Sequence, residues 1–256
     1  MKRAALNDYS ACIEMLFAPE ADGFVDRIQL AADAGFTTIE FWGTANKDVA
    51  AIAATAKQAG VKVGGILAEP GNANLADPAK HEGFLAGVEK SKQAALDLGA
   101  RLMIVTAGNR LPGVEEDEQS RAVAECLGRA ADIVKGSGIV LALEPINTGE
   151  RPDYFLWSTR AALDVVGAVN RPEVKLLYDM YHSAVMGESL PDVLAGRVDR
   201  IAHVHLADHP GRHEPGSGGI RWQEGLAWLR ANGYAGKVGL EYRPAGGTVD
   251  GLRFLD

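Results

Sequence analysis

Short apolar runs alternate along the chain with longer stretches in which apolar residues recur every three to four positions. Runs of the first kind fit buried strands, and stretches of the second kind fit amphipathic helices. Eight strand-like runs are legible, at residues 11–17, 36–42, 61–67, 102–106, 139–144, 174–179, 201–205 and 237–241. Helical stretches separate them at 23–34, 47–58, 78–98, 115–135, 158–169, 190–196 and 222–232, with a short one at 249–255. Gly35, Gly60 and Gly99 stand where three of these helices should stop. Strands that alternate with helices predict a parallel sheet with crossover connections.

Eight such alternations, with no linker, charge block or low-complexity tract between them, predict one closed (β/α)8 barrel, the TIM-barrel architecture of the α/β class, as a single domain over residues 1–256. A doubly wound open sheet is the competing fold. No G-x-G-x-x-G follows the first run; Gly64-Gly65 falls inside the third, and Gly216-Ser217-Gly218-Gly219 falls in a loop without a following phosphate-loop Lys.

Composition narrows the function classes. The chain has 256 residues, 47% hydrophobic and 23% charged, in the range of ordinary water-soluble folds. A net charge of −8 argues against nucleic acid or an anionic membrane surface as partner. No window approaches 18 uninterrupted apolar residues, and no apolar stretch follows the basic residues Lys2 and Arg3, so neither a membrane span nor a signal peptide is expected. Cys12 and Cys126 are too few for a disulfide framework and read as buried packing, so the cytoplasm is the expected location.

The last four strand-like runs each end in a residue able to bind a metal: Glu144, Asp179, His205 and Glu241. The intervals are 35, 26 and 36 residues (144 to 179, 179 to 205, 205 to 241), each about one strand-helix-strand unit. In a parallel barrel all four side chains reach the same end, where the chemistry of this architecture sits. Three carboxylates gathered there would repel one another unless a cation lay between them. Three oxygens and one nitrogen suit one divalent ion, Mn²⁺, Mg²⁺, Co²⁺ or Zn²⁺.

Further candidates lie just beyond the strand ends. His182, three residues after Asp179, is placed to donate to a substrate oxygen, and Glu150 to orient that histidine or bind a hydroxyl. Arg212, in the Pro- and Gly-rich loop after the seventh run, and Arg243, two residues past Glu241, are candidate clamps for a substrate anion. The plainer readings are a packed histidine, a solvated loop Glu and surface arginines. His203 shares a strand face with His205 and reads as a packed histidine behind it; Trp42, Phe155 and Trp157 read as aromatic core, with a wall of the site as the alternative.

These residues fall in Leu143-Glu144-Pro145-Ile146-Asn147, Tyr178-Asp179-Met180-Tyr181-His182, His203-Val204-His205-Leu206-Ala207-Asp208, Gly211-Arg212-His213-Glu214-Pro215-Gly216 and Gly239-Leu240-Glu241-Tyr242-Arg243-Pro244. In these motifs the chain resembles the xylose-isomerase-like barrel superfamily and, within it, the hydroxypyruvate isomerase family. The resemblance spans nearly the whole chain and is most specific in the second half. The R-H-E-P-G loop separates that family from the related ketose 3-epimerases. The family carries Gln at the position of His205, where the epimerases carry His, and Lys at the position of Arg243.

The resemblance implies Glu144, Asp179, His205 and Glu241 as metal ligands, with Glu144 and Glu241 doubling as acid and base. It also implies an aldose-ketose type isomerisation of a small hydroxy-oxo acid or sugar, with hydroxypyruvate and tartronate semialdehyde as the leading pair and ketose 3-epimerisation as the alternative. A DNA-repair endonuclease on this barrel would need a richer histidine set than six and a basic face. A sugar-binding module would not need both glutamates. A homo-oligomer is left open.

Overall fold

Near-continuous apolar strands must be buried on both faces, and a sheet closed on itself inside a ring of helices achieves this. The computed structural model describes residues 3–255 and has this form. Its parallel strands are β1 (Tyr9–Cys12), β2 (Thr38–Glu40), β3 (Lys62–Leu67), β4 (Leu102–Thr106), β5 (Val140–Glu144), β6 (Val174–Asp179), β7 (Ile201–Leu206) and β8 (Val238–Leu240), closed in sequence order with β8 against β1. Around them lie α1 (Asp26–Ala34), α2 (Val49–Ala59), α3 (His81–Leu98), α4 (Glu116–Val134), α5 (Thr159–Val169), α6 (Met180–Val185), α7 (Leu190–Leu194), α8 (Trp222–Ala231) and α9 (Thr248–Gly251).

The helix boundaries follow local chemistry. Asp48 and Ser158 cap α2 and α5 by accepting from the amides of Ala51 and Ala161. Gly35, Gly60 and Gly99 close α1, α2 and α3 in the left-handed conformation, with φ of 106°, 70° and 70°. In α4 the buried positions Val123, Cys126, Leu127, Ala130, Ala131 and Val134 recur at helical spacing and pack on the barrel. Cys12 and Cys126 are both buried and free, as expected.

The interior of the barrel is divided. On the side of β4, β5 and β6 it is filled by Ile104, Ala142 and Leu177. On the side of β1, β2 and β7 it holds the buried polar residues Ser10, Glu40 and His203. Period-two alternation then carries the next residue outward along each strand to the carboxyl end: Thr106, Glu144, Asp179 and His205. The register levels these ends, since Thr106 pairs with Glu144 and Asp179 with His205.

Three expectations need correction. The apolar run at 11–17 is not one strand: β1 ends at Cys12, and the chain then turns, with Phe17 at a φ of 61°. Ile13, Leu16 and Phe17 are apolar because the turn itself is buried, and composition alone does not separate a buried turn from a strand. A short helix, α6, follows β6 with no intervening loop. Glu241 stands one residue past the end of β8. Met1 and Lys2, part of the segment read for a signal peptide, lie outside the described residues. Among the described residues no helix is long and apolar enough to cross a membrane.

Candidate metal centre

The four expected ligands come together. One ligand atom from each of Glu144, Asp179, His205 and Glu241 lies within 4.8 Å of the others, and all four residues are buried. His205 Nδ1 stands 3.2 Å from Glu241 Oε2 and 3.7 Å from Glu144 Oε1. That nitrogen is buried and has no directed hydrogen bond, a state that calls for a missing partner. Three buried carboxylates share one guanidinium, Arg212, and one imidazole, so negative charge is in excess. The donor set and the orphaned nitrogen both fit a divalent cation.

The electrostatics are set by close contacts. Burial would raise the Glu241 carboxyl, but His205 and Arg212 outweigh it and hold Glu241 far below the usual carboxylate range. Burial would likewise lower His205, but the Glu241 and Glu40 carboxylates outweigh it and lift the imidazole well above its ordinary value. Arg212 Nη2 donates to Glu241 Oε2 at 2.5 Å and to Asp179 Oδ2 at 3.4 Å, while Nη1 donates to Glu150 Oε2 at 3.0 Å. Tyr181 donates its hydroxyl to Glu150 Oε1 at 3.0 Å and lies under the Arg212 guanidinium, 5.1 Å from ring centroid to Cζ. Burial and that bond to Glu150 push the phenol up to about 12, so it stays a donor.

Local folding explains how each group is held. Asp179 is the N-cap of α6: its Oδ1 accepts from the amides of Tyr181 at 2.7 Å and His182 at 3.4 Å, while Oδ2 faces the cluster. His182, in the first turn, receives the Asn147 side-chain amide on Nδ1 at 2.6 Å and the Asn147 backbone amide at 3.5 Å. Two donors on Nδ1 leave the ring proton on Nε2, which lies 3.5 Å from Asp179 Oδ2. Glu150 is thus bound to Arg212 and Tyr181, and Asn147 is what orients His182. Arg212 adopts a left-handed φ of 54°, unfavourable for a side-chain-bearing residue and held by its loop. Asp208 staples that loop, accepting from the amides of His209, Gly216 and Ile220 at 2.8, 2.7 and 2.9 Å.

Above the cluster is a cavity of about 260 Å³ whose lining includes Glu144, His182, Arg212 and Glu241. Arg243 and Arg151 also line it, and among the described residues neither forms an ion pair with a carboxylate; Arg151 instead lies over the Tyr154 ring at 5.9 Å. Phe155 is core as expected, but Trp42 is 39% and Trp157 36% exposed. Trp42 walls the cavity and donates its indole N–H to Glu241 Oε1 at 2.8 Å. His203 packs behind His205, with Nε2 2.9 Å from Glu40. Sequence reasoning missed Glu40, Arg151 and the polar role of Trp42. Glu40 and Trp42 lie at the end of the second apolar run, which held the only signal.

The family model described as Xylose isomerase-like TIM barrel matches residues 28–256. The chain is 35% identical to the putative hydroxypyruvate isomerase of Streptomyces coelicolor, over 86% of this chain and 85% of that protein. It is 29% identical to the 2-oxo-tetronate isomerase of Pectobacterium atrosepticum, over 97% of this chain and 96% of that one. A crystal structure from Brucella melitensis, described as an AP endonuclease, family 2, superposes with a TM-score of 0.91 at 30% identity, covering 97% of both chains. With fold, motifs and relatives in agreement, the chain belongs to the xylose isomerase-like TIM barrel family and, within it, to the hydroxypyruvate isomerase family.

Proposed function

We propose that this chain is a metal-dependent isomerase of small 2-oxo-hydroxy acids, with hydroxypyruvate and 2-hydroxy-3-oxopropanoate (tartronate semialdehyde) as the leading pair, and that residues 1–256 act as one barrel domain. The observation that carries the reading is the four-residue cluster at the floor of a cavity that also presents two arginines which, among the described residues, have no carboxylate partner. A neutral ketose has no use for those cations; the carboxylate shared by these hydroxy acids does. Isomerases of a three-carbon and a four-carbon acid of this kind are among the chain's relatives.

Glu144, Asp179, His205 and Glu241 would hold one divalent ion, with Mn²⁺ or Mg²⁺ the first to test. When bound, such an ion supplies positive charge to the substrate's adjacent carbonyl and hydroxyl oxygens and acidifies the C–H between them. Glu241, ionised through His205 and Arg212, takes the proton from C3 of hydroxypyruvate, and the C–H electron pair enters an enediolate. The proton returns at C2, and the hydroxyl proton moves from O3 to O2, leaving the aldehyde. Trp42 holds Glu241 Oε1 in place. The Nε2–H of His182 faces the developing oxyanion. Arg243 and Arg151 hold the substrate carboxylate, and Arg212 keeps Glu241, Asp179 and Glu150 in register.

Ketose 3-epimerisation is the second reading, favoured by Glu144 and Glu241 both lining the cavity, as a two-base reaction needs. The test is to strip the protein with chelator, restore Mn²⁺ or Mg²⁺, and follow hydroxypyruvate, a four-carbon 2-oxo acid and a panel of neutral ketoses by NMR in D₂O. Metal-dependent turnover of the acids is expected, with solvent deuterium at C2 to the extent that the proton held by Glu241 exchanges with water before it returns. Turnover of ketoses alone would replace this reading with the epimerase.

A further inference from the structure

Glu40, at the end of β2, is buried in the polar half of the barrel interior, and the roles given above do not use it. Its Oε2 accepts from Ser10 Oγ at 2.6 Å and lies 2.9 Å from His203 Nε2. Its Oε1 lies 2.8 Å from His205 Nε2. The space it fills exists because residue 239 is glycine: a Cβ there would stand 2.2 Å from Glu40 Oε1, 2.7 Å from His205 Cδ2 and 2.8 Å from His203 Nε2. Groups from β1, β7 and β8 thus hold one carboxylate against the back of the His205 ring.

We propose that Glu40 is a positioning residue for the metal, which holds the proton of His205 on Nε2 and so reserves Nδ1 as the electron-pair donor facing Glu144 and Glu241. A neutral imidazole carries one proton and one lone pair, and the partner of one nitrogen decides which the other offers. The opposite tautomer would set a lone pair against the Glu40 carboxylate and leave a proton where the ion must bind. The 2.8 Å contact lies off the N–H axis, so Glu40 Oε1 and His205 Nε2 both still lack a directed hydrogen bond. A carboxylate behind a ligand histidine also fixes ring orientation and raises its basicity.

The inference rests on the metal reading of the four-residue cluster, which the first step of the experiment tests by itself. Co²⁺ is titrated into chelator-stripped protein, with stoichiometry and geometry read from visible absorption and affinity from competition with a chromophoric chelator. One Co²⁺ per chain is expected, and no binding by the wild type would remove the metal reading and, with it, the role of Glu40, whereas binding by the wild type leaves the Glu40 variants to decide that role alone. Glu40→Ala should weaken affinity roughly 10–100-fold, with the far-UV spectrum unchanged. Glu40→Gln, whose amide oxygen still accepts, should lose less.

The decisive comparison is in a His205→Gln background, where there is no imidazole proton to place. There, both Glu40 substitutions should cost no further affinity. Should Glu40→Ala fail to fold, Glu40→Gln in the two backgrounds carries the same comparison. Unchanged affinity in the Glu40 variants, or equal loss in both backgrounds, would overturn the proposal. So would two Co²⁺ per chain with one lost on substitution of Glu40, because Glu40, His203 and His205 would then be a ligand set of their own.

Discussion

Glu241 is held from several sides: Trp42 and Arg212 donate to it, His205 flanks it and the Cys12 thiol lies 3.8 Å away. Glu241→Gln should therefore keep the fold and measurable metal binding while kcat falls about 10²–10⁴-fold, the usual worth of a positioned acid-base group; unchanged turnover would remove Glu241 from the proton transfer. The pKa shifts give the metal-free protein two flanks. Glu40 and Glu241 are held below their ordinary 4.5, so the stability they contribute is complete above that value and is lost as pH falls through their folded values. His205 is held above 6.5, so its contribution is complete below 6.5 and is lost as pH rises through its folded value. Thermal melts of chelated protein should fall on both sides, and bound metal, which takes the unprotonated imidazole, should remove the alkaline fall. The four residues of the cluster were legible because each falls at or next to the carboxyl end of a strand at unit spacing. Glu40 was not, since its partners His203 and His205 lie 163 and 165 residues further along the chain.

Among the elements, the loop from Asp208 to Ile220 and the helix α6 decide where Arg212 and His182 stand. Asp208→Ala would strand three amides that it now satisfies, at roughly 1–3 kcal/mol for each buried one. Hydrogen exchange should quicken across 209–220, and kcat should fall as Arg212, which holds Glu241 and Asp179 in register, loses its left-handed perch. Equal exchange in variant and wild type would show that the loop is held by something else. The strand-helix alternation was readable across the chain because each helix has an apolar face of its own period. It failed at residues 11–17, where a buried turn is as apolar as a strand, and at α6, whose six residues are too few to show a 3.6-residue period.

At the scale of the whole molecule, the barrel places an apolar plug under one half of the site and a polar layer under the other. A ligand bound to the folded state alone stabilises it, by about 2.7 kcal/mol at a hundred times its Kd. Chelation should thus lower Tm by several degrees, and Glu144→Gln should shrink that difference; a Tm indifferent to chelator would argue that no ion belongs to the fold. The architecture was legible before any coordinate because eight repeats of one unit fill the chain. The division of its interior was not, because it depends on which strands become neighbours on closure. The four ligand positions occupy consecutive strand ends, and the last of them follows β8, the strand that seals the sheet against β1. During synthesis Glu241, the carboxylate proposed to handle the proton, and the closing strand emerge together. A chain interrupted before them would lack one member of the four-residue cluster and leave two open sheet edges, so closure of the fold and completion of the cluster arrive in the same step of translation.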